Sequence, residues 1–254
     1  MDLERLTIVV PYRDRLAHLR EFIPHMAAYF SRDVAASVLN VRILVVEQVA
    51  GGPFNRGLMK NIGFLESKAH SSQICFHDID YLPVWADYSP IDRPACIVWY
   101  GAEVRTISAK SSKLIRANLE KTFGCAVLMP TADFAAVNGY ANAYWGWGYE
   151  DCDLMNRFSL ARIALGRRKG TFRPLDHDSD GYKVNGAPSG ESLANKVIYD
   201  ARWANDAAAQ AAMDADGLAQ TRYEIIKRVP LPPPPTLERD IPIEMLTVRV
   251  PLPS

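Results

Sequence analysis

The chain has 254 residues, 48% of them hydrophobic and 23% charged, enough apolar material for one large core. Lysine plus arginine and aspartate plus glutamate both number 29, so the net charge is about zero and no basic face is offered to nucleic acid or anionic lipid. The four cysteines, Cys75, Cys96, Cys125 and Cys152, form no CxxC pair and no dense framework, which points to reduced thiols rather than a disulfide scaffold.

The opening, MDLERLTIVVPYRDR, carries an apolar run too short for a signal sequence or a bilayer span, so no transmembrane segment is expected. Residues 6–10, LTIVV, read as a strand stopped by Pro11, after which Leu16, Leu19, Phe22, Ile23, Met26 and Phe30 recur at helical spacing. VRILVV (41–46) reads as a second buried strand, and after the turn Gly51-Gly52-Pro53 the positions Phe54, Leu58, Ile62 and Leu65 mark a second helix face. QICF (73–76) is a third strand running into His77-Asp78-Ile79-Asp80, and short strands fit ACIVWY (95–100) and CAVLMP (125–130). A helix is expected on Leu154, Phe158, Ala161 and Leu165, with Glu150, Asp151 and Asp153 in its first turn. ANDAAAQAAMDADG (204–217) favours helix by propensity, and VPLPPPPTLERDIP (229–242) reads as an extended polyproline spacer before a last strand, EMLTVRV. Strands alternating with helices predict an α/β domain with a mostly parallel central sheet covered by helices on both faces.

In such sheets ligands bind beyond the carboxyl ends of the strands. That rule singles out PYRDR after the first strand, EQ and FNR after the second, and DID after the third. Arg13, Arg15 and Arg56 are suited to clamp a diphosphate, because guanidinium pairs bidentately with phosphate oxygens. Asp78 and Asp80 flank one residue at the end of a strand, and the two-residue side-chain period puts both on one side, where two hard carboxylates suit Mg²⁺ or Mn²⁺. The run YWGWGYEDCDLMNR joins flat indole faces and flexible glycines, a surface suited to sugar rings, to carboxylates that a helix N-terminus keeps ionised.

The ordered set FNRGLMKNIGF, FHDIDYLP, FGCAVLMP and WGWGYEDCD resembles the β-1,4-galactosyltransferase family, glycosyltransferase family 7, whose catalytic domain has the GT-A fold. PYRDR, VVEQ and DGLAQTRYEIIKR (216–228) extend the resemblance over nearly the whole chain. It implies a single GT-A catalytic domain: residues 1–120 the nucleotide-sugar half, 121–228 the acceptor and catalytic half with a lid at 177–195, and 229–254 the spacer and final strand. By matched position, Pro11, Arg13, Arg15, Phe54, Arg56 and Asp78 hold the uridine diphosphate, and Trp147 covers the sugar donor. Asp80 and His177 bind the metal, Mn²⁺ with Mg²⁺ as the alternative. Asp151 is the catalytic base beside Glu150, and Tyr149, Asp151 and Cys152 face the acceptor.

Three positions depart from the family pattern. A third metal ligand, Met or His in the family, falls on Pro174, leaving its place to Asp176, Asp178 or water. Cys152 replaces an acceptor-site aspartate, so the usual acceptor is not carried over. Thr122 replaces a tyrosine that crowds the second carbon of the donor sugar, which leaves room for an N-acetyl group.

The resemblance therefore implies an inverting, metal-dependent hexosyltransferase that moves galactose or N-acetylgalactosamine from its UDP-sugar to a saccharide or glycolipid acceptor. A bacterial-type cytoplasmic enzyme, peripheral at the inner membrane, is the first expectation, and a trimmed Golgi-lumenal catalytic domain the second. The competing readings are a catalytically silent sugar-nucleotide or glycan-binding module and a metal-dependent phosphate-ester hydrolase.

Overall fold

A computed structural model describes residues 4–32, 39–99, 123–175, 183–184, 187–232 and 239–252. The expected apolar runs form strands β1 (Glu4–Tyr12), β2 (Leu39–Gln48), β3 (Gln73–His77), β5 (Ala95–Trp99), β6 (Ala126–Pro130) and β11 (Ile243–Arg249). Three further strands, β4 (Tyr81–Ala86), β7 (Gly166–Pro174) and β10 (Glu224–Pro230), complete a nine-stranded sheet of order β10-β11-β2-β1-β3-β6-β5-β7-β4. A separate hairpin joins β8 (Lys183–Val184) to β9 (Ala187–Pro188).

Parallel ladders join β11, β2, β1 and β3, which is the α/β half that the sequence pattern foretells. Every residue from Leu6 to Val10 is buried, so β1 is covered on both faces. Beyond β3 the sheet is mixed, a departure from the mostly parallel expectation: β3–β6, β6–β5 and β7–β4 are antiparallel and only β5–β7 is parallel. β7 gave no strand signal because its sequence, GRRKGTFRP, is basic and glycine-rich. Gly170 explains one of those glycines, since a Cβ there would stand 2.1 Å from the Ile97 carbonyl oxygen of the neighbouring strand.

The helices are α1 (Leu16–Arg32), α2 (Arg56–Ser67), α3 (Thr131–Ala136), α4 (Glu150–Leu160), α5 (Gly190–Arg202) and α6 (Asp206–Ala215). Asn55 caps α2 by accepting from the Leu58 amide at 2.8 Å, while its own side chain donates to the Asn142 carbonyl at 2.7 Å, tying the helix start to a distant loop. Gly63 brings α2 down onto the sheet: a Cβ there would lie 2.2 Å from Val9 Cγ1 and 3.2 Å from Val46 Cγ2.

Helix α4 is shorter than its apolar periodicity suggests. It ends at Leu160, Arg162 turns left-handed with φ 58°, and Leu165 is left exposed. What fixes α4 is a buried ion pair, Arg157 Nε to Asp153 Oδ1 at 2.6 Å, with both side chains only 1% exposed. Asp153 also accepts from the Tyr144 hydroxyl at 2.9 Å and the Trp203 indole at 3.0 Å. Arg157 spends its other donors on the carbonyls of Val137, Asn138, Gly139 and Asp216. No helix among the described residues is long and apolar enough to cross a membrane.

Gly63→Ala is expected to destabilise the fold by about 1–3 kcal/mol, because the overpacking against stiff Val9 outweighs the gain in helix propensity. A lowered midpoint in thermal or urea unfolding checks this. Arg157→Met strands a buried aspartate and is expected to cost about 3–5 kcal/mol in the same measurement. Lys196→Ala breaks the exposed pair between Lys196 and Asp200 and is expected to leave the midpoint unmoved.

Candidate active site

A cleft of about 390 Å³ opens at the carboxyl ends of the parallel strands. Its lining includes Pro11, Arg13 and Arg15 after β1, Phe54 and Arg56 at the start of α2, Asp78 and Asp80 after β3, and Trp147 and Glu150 ahead of and within α4. Segments far apart in the chain thus converge as the strand-end rule expects. Asp151, Tyr149 and Cys152 lie outside that lining, and His177, Asp176, Asp178 and Thr122 fall outside the described residues.

The three arginines do different work. Arg13 Nη1 donates to the Gly52 carbonyl at 2.6 Å, and its guanidinium carbon lies 5.2 Å from the Phe54 ring centroid. Arg15 stands 3.9 Å from Asp80 Oδ2. Arg56 is gripped by three carboxylates: Nε donates to Glu150 Oε1 at 2.6 Å, Nη1 to Asp78 Oδ2 at 2.8 Å and Nη2 to Asp151 Oδ2 at 2.6 Å. One guanidinium therefore fastens the turn after β3 to the first turn of α4.

Asp78 and Asp80 share the cleft for a reason other than strand periodicity. β3 ends at His77, and the two aspartates lie in the turn that leads into β4, where the Tyr81 amide donates to the Asp78 carbonyl at 3.3 Å. Among the described residues no group of three or more histidine, cysteine or acidic side chains is placed to hold a metal. The donors present nonetheless fit a hard divalent cation in kind, since the Asp78 and Asp80 carboxylates both line the cleft. β7 delivers the chain to the same place, because the Leu175 amide donates to the Asp80 carbonyl at 2.7 Å.

Asp151 sits behind Arg56, against Gly124, where a Cβ would stand 2.4 Å from Asp151 Oδ2. Lys60 Nζ reaches Asp151 Oδ1 at 3.3 Å. Burial pushes the Asp151 carboxyl up, but Arg56 and Lys60 outweigh burial and hold it below the ordinary carboxylate range. Asp78 moves the opposite way: burial, with the charges of Asp80 and Asp151, raises it more than Arg56 and Lys60 lower it. Neighbouring carboxylates are thus driven apart, with Asp151 kept ionised.

The run WGWGY needs its glycines for backbone geometry. Gly146 has φ 75° and Gly148 φ 99°, and Tyr149, with φ 75°, holds a left-handed conformation directly before α4. Trp147 is 46% exposed at the mouth of the cleft. Asn195 on α5 donates to the carbonyls of Trp145, Trp147 and Gly148 at 2.9, 3.1 and 3.2 Å. The expected lid, 177–195, thus runs at its end into a helix packed on this loop, while 176–182 lie outside the described residues. The Tyr149 ring packs on Tyr199 at 5.2 Å, and Cys152 is an exposed free thiol.

Sequence reasoning missed Lys60 and Asn195, and it assigned Glu47 and Gln48 to the ligand side. Gln48 is instead buried, bonding the Pro53 carbonyl and the Asn55 amide to shape the turn into α2, and Glu47 accepts from Thr247 at 2.7 Å. A lysine on the inner face of an amphipathic helix, four residues after Arg56, was the available signal for Lys60.

Known proteins share the sequence pattern and the fold of this chain. The family model described as the N-terminal region of glycosyl transferase group 7 matches residues 2–89, and that described as the N-terminal domain of galactosyltransferase matches 105–178. The chain is 31% identical over 193 residues to β-1,4-galactosyltransferase 4 of Rattus norvegicus, covering 73% of this chain and 52% of the relative. It is 34% identical over 182 residues to β-1,4-galactosyltransferase 7 of Homo sapiens, covering 68% and 51%. The chain therefore spans about half the length of the curated relatives it matches. Among solved structures it resembles the catalytic domain of Drosophila β-1,4-galactosyltransferase 7 in complex with xylobiose, with a TM-score of 0.71, 24% identity, and coverage of 99% of this chain and 96% of that one. A mutant of that enzyme in complex with manganese, UDP-Gal and xylobiose matches equally well, with a TM-score of 0.71. The fold is that of the GT-A galactosyltransferase catalytic domains, and the chain belongs to the β-1,4-galactosyltransferase family, glycosyltransferase family 7.

Proposed function

We propose that this protein is an inverting glycosyltransferase that moves galactose from UDP-galactose to a hydroxyl of a saccharide acceptor. The observation that carries the reading is the convergence of Arg13, Arg15, Arg56, Asp78, Asp80 and Trp147 on one cleft, with the ionised Asp151 directly behind. Relatives named as β-1,4-galactosyltransferases, and a similar structure holding manganese, UDP-Gal and xylobiose, support it.

Arg13, Arg15 and Arg56 bind the diphosphate, and Pro11, Phe54 and Asp78 frame the nucleotide. Asp80 and His177 would hold a Mn²⁺ ion, or Mg²⁺ in its place, which when bound would supply positive charge to offset what develops on the departing UDP. Trp147 lies over the sugar and excludes water from it. Asp151 accepts the acceptor hydroxyl proton as that oxygen bonds to the anomeric carbon, whose bond to the phosphate oxygen breaks with its electron pair leaving on UDP. Each Asp151 oxygen has two lone pairs, so the cations already bound leave room for that proton. Glu150 keeps Arg56 aligned, and Tyr149 and Cys152 border the acceptor.

Thr122 favours a second donor, UDP-N-acetylgalactosamine, because it is smaller than the tyrosine of the family pattern. UDP release across a panel of UDP-sugars, with Mn²⁺ and mixed saccharide acceptors, separates the two donors. Release is expected to require both acceptor and metal, and EDTA to abolish it. Release without acceptor indicates a hydrolase, and UDP binding without turnover on any donor indicates a silent binding module.

Asp151→Asn is expected to lower kcat at least about a hundredfold, the scale of a lost general base, while UDP still binds. Gly124→Ala pushes on the carboxylate end of Asp151, so kcat is expected to fall about tenfold or more. An unimpaired Gly124→Ala enzyme would refute the placement of the base against that glycine.

A further inference from the structure

The chemistry above makes no use of Lys60, a buried cation beside the site. Lys60 lies on α2 four residues after Arg56, and its side chain is 1% exposed. Its ammonium stands 3.3 Å from Asp151 Oδ1, 3.9 Å from Asp78 Oδ1 and 3.4 Å from the Tyr140 hydroxyl, with the Tyr140 ring centroid at 4.8 Å. An ammonium removed from water is costly unless paired, and its acidic partners here are two carboxylates of the site.

Asp151 consequently carries a cation on each oxygen, Arg56 on Oδ2 and Lys60 on Oδ1. The two cations differ in reach. Arg56 lines the cleft and is 30% exposed, whereas Lys60 is absent from the lining. A diphosphate entering the cleft can draw the guanidinium to itself but has no path to the ammonium.

We propose that Lys60 is a positioning residue of the transfer reaction, holding the Asp151 carboxylate ionised and oriented while Arg56 is drawn to the diphosphate of the UDP-sugar. This rests on Asp151 being the base. The groups facing Asp151 are Arg56 and Lys60 from α2, Asp78 from the turn after β3, Tyr140 after α3, and Cys96 on β5. Glu150, Cys152 and Asp153 adjoin it on its own helix. Without Lys60, three carboxylates, Asp78, Glu150 and Asp151, share one guanidinium. Once a ligand engages that guanidinium, Lys60 is the cation that remains on Asp151.

The test compares wild type, Lys60→Met and Asp151→Asn in acceptor-dependent UDP release from about pH 4 to pH 9, with kcat and the UDP-sugar KM taken at each pH. Methionine keeps the length of the side chain and removes the charge. The expected result for Lys60→Met is a KM within about twofold of wild type, a kcat about tenfold lower near neutrality, and an acid limb displaced upward by about one pH unit. Superimposable profiles overturn the proposal. So does a kcat lowered by one factor at every pH, which marks a merely structural role, or a raised KM with unchanged kcat, which marks a nucleotide-binding role. Should Lys60→Met fail to fold, Lys60→Gln, which keeps a hydrogen bond to Asp151 without the charge, is read by the same criteria. Wild-type transfer by Asp151→Asn removes the base reading and this proposal with it. An inactive Asp151→Asn beside an unaltered Lys60→Met removes the proposal alone.

Discussion

The site depends on one guanidinium shared by three carboxylates. Asp78 comes from the turn after β3 and Glu150 and Asp151 from the first turn of α4, more than seventy residues later, and Arg56 bonds all three. Three carboxylates gathered in a largely buried cluster repel one another and lose hydration, so without cations at least one would take a proton. Arg56 and Lys60 remove that conflict unevenly: Asp151 stays ionised and Asp78 is raised. The helix N-terminus adds to the effect, since Glu150 and Asp151 lie where the macrodipole favours negative charge. Structure and proposed chemistry share this contact, because the guanidinium that ties the elements together also lines the cleft proposed for the diphosphate.

The loop before α4 shows how backbone conformation serves the same end. Residues 146, 148 and 149 all have positive φ, which folds the chain tightly enough to set Trp147 at the mouth and Glu150 in the wall of one cleft. Glycine adopts that conformation freely, whereas Tyr149 does so at a cost of about 1–2 kcal/mol. The cost is tolerated because the loop is held from outside: Asn195 satisfies three of its carbonyls, and the Gly146 amide donates to the Phe54 carbonyl at 2.8 Å. Gly146 has a second reason to lack a side chain, since a Cβ there would stand 2.1 Å from Glu191 Oε2 on α5.

Much of this was legible in the sequence because the signals are local. LTIVV, VRILVV and QICF announce parallel strands by unbroken apolar runs, and the polar residues that follow each mark the ligand end. Where meaning depends on distant partners, the sequence is silent. GRRKGTFRP forms a strand because neighbouring strands hold it on both sides, and Gly170 fits only against Ile97. Asp153 reads as one more acid in a row, yet it is committed to Arg157, Tyr144 and Trp203. Gln48 lies at a strand end where ligand contacts are expected, but the tight turn into α2 consumes both ends of its amide.

The mixed half of the sheet has a functional logic that the parallel half lacks. An all-parallel sheet would need a crossover after each strand and would return every chain segment to the same edge. Here β4 leaves the Asp78–Asp80 turn and β7 runs back antiparallel to it, with Tyr81 paired to Pro174. The chain therefore emerges from β7 beside the Asp80 backbone, just before the segment that carries His177 in the sequence. Proline at position 174 cannot ligate, yet it closes β7 opposite Tyr81, one residue after the Asp78–Asp80 turn.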